Sequence, residues 1–115
     1  MNGMEEVLQS VDALLEAIRG SEIYQEYLHQ EELLTADPQL RERVRAFRAR
    51  NFRLQNEASD SELFAVVDGI YHESRELRKN SQVNAYLDAE LAYCKMMQRI
   101  TRYLCDNLDF DCPDI

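Results

Sequence analysis

Cysteine, histidine and arginine are the residue types of this 115-residue chain whose spacing could support chemistry beyond packing. The thiols are Cys94, Cys105 and Cys112. Cys105 and Cys112 lie near the C-terminus with six residues between them. Two thiolates make half of the four-ligand set that structural zinc or an iron–sulfur cluster takes, so any such site would be shared with a second subunit or a partner. Cys94 lies three helical turns before Cys105 within an apolar stripe, where a small buried hydrophobe is the expected role. Glu26 and His29 form one Glu-x-x-His unit of the kind that helices contribute to a di-iron centre. A second unit is missing, because Gly69 stands three residues before His72. Glu26 and His29 are therefore expected on a solvated helix face, and His72 and Glu76, four apart, as a surface pair. Gly3, Gly20 and Gly69 are isolated, which leaves no glycine-rich loop to cradle a phosphate. No Ser or Cys has a histidine in a recognisable nucleophile signature. The expectation is a protein that is not an enzyme.

The arginines carry more information. Six of the eleven, from Arg41 to Arg53, fall in one segment that contains only Glu42 and Glu57 against them. On a helix Arg41, Arg45 and Arg48 lie within about 60° of one another, and Phe52 projects among them, away from the stripe of Leu40, Val44, Phe47 and Leu54. Phe52 could pack under a neighbouring helix. Alternatively, Arg41, Arg45, Arg48 and Phe52 form an oligomer or partner interface whose opposite side is acidic, since Phe and Arg are both enriched at interfaces. Direct RNA contact through the arginine helix is the weaker third reading.

Five helical segments must position these residues. Met4, Val7, Leu8, Val11, Leu14, Leu15 and Ile18 follow the spacing of one helix face, and Gly20 then stops the helix. Ser21 caps a second helix, which ends before Asp37-Pro38, a cap followed by a residue suited to the first turn. The third runs from Pro38 to about Ala58. Ser59 and Glu62 suggest a capping box for the fourth, which turns Leu63, Val66, Val67, Ile70 and Leu77 inward and closes on Arg78, Lys79 and a left-handed Asn80. Ser81 caps the fifth, which continues for about six turns with Val83, Tyr86, Leu87, Leu91, Cys94, Met97, Ile100 and Leu104 on its stripe. Gly69 within a helical pattern suggests close helix packing. No segment alternates with period two. The expected fold is all-α, about five helices with short connections in an elongated antiparallel bundle completed by oligomerisation. Residues 1–105 are expected as one domain and residues 106–115, with four aspartates and a proline, as a flexible acidic tail.

Composition agrees with this. Apolar residues make up 45% and charged residues 30%, within the globular class, while two prolines and three glycines are too few for an all-β fold. Thirteen Lys and Arg against 22 Asp and Glu give a net charge of -9, which opposes nonspecific binding to nucleic acid or anionic membranes. The charge is uneven: residues 1–37 carry one basic and nine acidic groups, or -8, and residues 38–58 carry six and two, or +4. The N-terminus does not read as a signal peptide, the longest apolar run (63–67) cannot span a bilayer, and an odd number of cysteines argues against a disulfide framework. A cytoplasmic location follows as the expectation.

Three stretches then suggest a relationship: Ile18-Arg19-Gly20-Ser21-Glu22-Ile23-Tyr24-Gln25-Glu26-Tyr27, Asp37-Pro38-Gln39-Leu40 with Phe47, and Asn80-Ser81-Gln82-Val83-Asn84-Ala85-Tyr86-Leu87-Asp88-Ala89-Glu90. In these the chain resembles the YlbF/YmcA-like family of small helical bacterial proteins, over roughly Val7 to Leu104. The resemblance implies an all-helical, self-associating protein without enzymatic activity. It also implies a regulatory partner in a complex, with paralogous helical proteins, that supports competence, biofilm formation and sporulation by adjusting RNase Y in mRNA processing. Some family members hold iron–sulfur clusters in that complex through cysteines near the C-terminus, and Cys105 and Cys112 are the matching positions. No cofactor is expected of this chain alone; a cluster carried across a subunit interface is the alternative.

Overall fold

The computed structural model describes residues 3–57, 59 and 62–109. They form five helices: α1 (Met4–Arg19), α2 (Glu22–Thr35), α3 (Pro38–Glu57), α4 (Leu63–Arg78) and α5 (Ser81–Asn107). No strand occurs among the described residues, and the fold is all-α as the periodicity requires. Cys112 and most of the expected acidic tail lie outside the described residues.

Short joints separate the helices, and side chains tie them. Between α1 and α2 the Ser21 hydroxyl donates to the Ile18 carbonyl at 2.6 Å and accepts the Tyr24 amide at 3.2 Å, as an N-cap should. The Gln25 side-chain Nε2 donates a further bond to the Arg19 carbonyl at 2.6 Å. At the start of α3, Asp37 Oδ1 accepts the Leu40 amide at 3.2 Å. Two caps differ from expectation. Asn80, not Ser81, caps α5: its Oδ1 accepts the amides of Gln82 at 2.9 Å and Val83 at 3.2 Å. Asn80 also lacks the left-handed conformation, which among the described non-glycine residues only Asp109 adopts. At α4 the residue expected to close a capping box, Glu62, is itself the N-cap and its side chain makes no cap bond. The Glu62 amide bonds the Ser59 carbonyl at 3.0 Å, so a turn precedes the helix and shifts its start past the box.

The chain divides into two compact units, residues 30–88 and residues 1–29 with 89–115. The first holds the core. Val44 is 2% exposed and Val83 fully buried, with Leu34, Leu40, Phe47 and Leu77 nearly so. Deep burial of six such side chains supplies, at roughly 1.5–3 kcal/mol each, the main stabilisation of this unit. Val67, expected inward, is 53% exposed, and the outer side of α4 instead presents Phe64 and Tyr71. Gly69 also departs from expectation, because a Cβ built there meets nothing within 4 Å.

In the other unit Tyr93 of α5 meets Tyr24 edge-on, with ring centroids 5.4 Å apart, and Tyr27 at 5.0 Å. Its buried apolar residues among those described are Ala89 and Cys105. Helix α1 buries none of its residues, in contrast to the core-facing stripe its spacing suggests. Cys94, expected inside, is exposed, and so are Leu91, Met97 and Leu104 of the same stripe.

Candidate interaction surface

The arginine helix is built from a sequence of low hydropathy in which Leu40, Val44 and Phe47 point to one buried side, while Leu54, expected on the same stripe, is exposed. The structure separates the four predicted site residues. Arg48 is held within its own unit: Nη2 donates to the hydroxyl of buried Tyr86 at 2.8 Å, and the guanidinium carbon lies 5.3 Å from the ring centroid. A cation over an aromatic ring that also accepts its hydrogen bond is a structural contact as much as a surface one. Arg41, Arg45 and Phe52 remain together at the exterior. Arg45 lies 3.8 Å from Glu42 on an open surface, where such a pair is worth little. Phe52 is 73% exposed, so it does not pack under a neighbouring helix. The side of α3 nearer α4 is different in character. There Arg50 pairs with Glu73, and Arg43, Arg50, Glu73 and Glu76 line, with Ala46 and Leu77, a cleft of about 200 Å³.

Around this cleft the electrostatics are surface-like. Lys79 donates to Glu76 Oε1 at 2.8 Å, and that hydrogen bond, followed by the charge of the ammonium, holds the Glu76 carboxyl below the ordinary glutamate range. His72 lies 3.6 Å from Asp68 rather than pairing with Glu76 as the spacing suggests; Asp68 and Lys79 are the nearer partners on the same helix surface. Arg78 reaches Asn84 at 2.8 Å and Asp88 at 2.7 Å, joining the end of α4 to the start of α5.

Sequence reasoning misses the outer side of α4. Phe64, 85% exposed, Val67 and Tyr71, 60% exposed, recur at three- and four-residue steps, and the Arg75 guanidinium stands 5.8 Å from the Tyr71 ring centroid. The spacing is visible in the sequence, but Val67 fits the inner stripe beside Val66 equally well.

Cys105, one of the two residues considered for cluster ligation, is buried within α5, and Cys112 lies outside the described residues. Among the described residues no group of three or more His, Cys, Asp or Glu side chains gathers in a metal-binding arrangement. Among them, too, no helix is long and apolar enough to cross a membrane.

A family model described as "Control of competence regulator ComK, YlbF/YmcA" matches residues 7–109. No curated protein and no solved structure matches the chain.

Proposed function

This chain belongs to the YlbF/YmcA family of competence regulators, and on that premise we propose that it is a non-enzymatic, self-associating regulatory partner. Its client contact is the exposed side of α3, and the complex it joins adjusts RNase Y-dependent mRNA processing. The observation that carries the α3 assignment is Phe52: a phenylalanine 73% exposed, on the helix where the acidic chain concentrates its positive charge. Phenylalanine and arginine are both enriched at interfaces relative to the rest of a protein surface. The matching partner surface is acidic with an apolar recess.

Affinity capture from the native host with Phe52→Ala and Arg45→Glu variants tests this reading. Neither side chain supports the core, so helicity should be unchanged while capture of the partner falls by about tenfold or more. Undiminished capture removes the α3 surface from the proposal. The finer assignment is checked separately: transcripts whose processing changes when this chain is deleted should coincide with those changed by depletion of RNase Y. Absence of overlap removes RNase Y as the target.

A further inference from the structure

The two halves of α4 are held unequally. Leu77, in the second half, is the helix's one buried residue. Polar ties to the rest of its unit also belong to that half: Glu73 pairs with Arg50, and Arg78 bonds Asn84 and Asp88. In the first half Leu63, Phe64 and Val67 are 45%, 85% and 53% exposed, and Val66 is only partly buried. The short connection makes α3 and α4 antiparallel neighbours, so with Arg50 set against Glu73 the first half of α4 lies opposite the end of α3. There the stripe of α3 has run past Phe47 to Asn51 and Leu54, which leaves little apolar surface to dock on.

The local sequence deepens the inequality. Glu62, the N-cap, makes no side-chain cap bond. Gly69 interrupts the helix where a Cβ would meet nothing within 4 Å, so the stability lost to an interior glycine is not offset by packing. Asp68 is of the residue type best suited to an N-cap, yet it stands in mid-helix, where aspartate is a poor helix former. Its side chain is 60% exposed and lies 3.6 Å from that of His72. A helix that began at Gly69 would reverse both defects. Asp68 would become the cap, its carboxylate accepting the amide of Ile70 or Tyr71 at the positive end of the helix, and Gly69 would cease to be interior.

We infer that α4 is a helix of two lengths: a long form that starts at Leu63, and a short form that starts at Gly69 behind an Asp68 cap, with residues 63–67 released into the connection from α3. Residues 70–78 stay docked in both. Local unfolding draws on segments with few buried contacts, and the internal cap gives this one a fixed stopping point. Phe64 and Val67 leave the outer side of α4 in the short form while Tyr71 remains. Any contact made on that row is therefore linked to the length of the helix.

Amide hydrogen exchange of the full chain, read residue by residue by nuclear magnetic resonance at one protein concentration, is the test. After correction for intrinsic rates, the amides of Val66 and Val67 should exchange at least about tenfold faster than that of Leu77. Asp68→Ala removes the internal cap and favours the long helix, so it should slow Val66 and Val67 by about tenfold. Asp68→Asn also removes the charge but keeps a capping side chain, and should leave their exchange within about threefold of wild type. Gly69→Ala should slow it by roughly two- to fivefold. Both positions are exposed, and circular dichroism confirms that each variant is folded. Exchange at Val66 and Val67 no faster than at Leu77, equal effects of alanine and asparagine at position 68, or no slowing by Gly69→Ala would each overturn the inference.

Discussion

At the scale of single residues, Asn80 controls more than its position suggests. Its side chain satisfies the amide of Val83, the most deeply buried residue described, and so fixes both the first turn of α5 and the point where that helix enters the core. Asn80→Ala should cost about 1 kcal/mol, whereas Ser81→Ala should cost no more than a few tenths, since Ser81 is exposed and already helical; urea denaturation of the two variants decides between them. Both residues are plausible caps by sequence. The choice falls to Asn80 because α4 closes through backbone bonds from Lys79 to Glu76 and from Asn80 to Leu77, leaving the Asn80 carboxamide aimed at the next helix. Arg48 is a similar case. Its register with Arg41 and Arg45 is legible from spacing, but its capture by Tyr86 depends on a residue thirty-eight positions away.

At the scale of helices, periodicity locates all five, because few structures besides a helix place an apolar residue every three or four positions, and side-chain caps at Ser21, Asp37 and Asn80 mark the starts of three. Which stripe meets a core is not legible. A helix that packs inside its own unit and one that packs on another molecule present the same pattern, and α1 and the outer side of α4 are apolar surfaces in search of different neighbours. Gly69 illustrates the same limit: glycine permits close packing, yet the space beside it is open. Gly69→Ala should therefore stabilise α4, by about 0.5–1 kcal/mol, through lower unfolded-state entropy and better helix propensity; a raised denaturation midpoint at unchanged m-value would show it, and a lowered one would mean the site is occupied in the assembled protein.

At the scale of the whole molecule, stability is distributed unequally. Residues 30–88 contain nearly all the deeply buried side chains described, and α1 contains none. Hydrogen exchange on dilute protein should therefore find the slowest amides around Val44, Phe47 and Val83, while α1 exchanges by local opening; raising the concentration should slow exchange in α1 first. Equal protection of α1 and α3 at every concentration would contradict this. The net charge of -9 likewise resolves into parts, with a basic α3 set in an acidic chain, so charge could direct association without making the whole protein adhesive to polyanions. The joint at Gly20 and Ser21 gives these features a further consequence. Three side-chain hydrogen bonds knit α1 to α2 there. An amphipathic helix on a loose linker would have to be ordered at the moment of encounter; this one is already aimed, so little conformational freedom is left to lose and encounters become productive without a folding step.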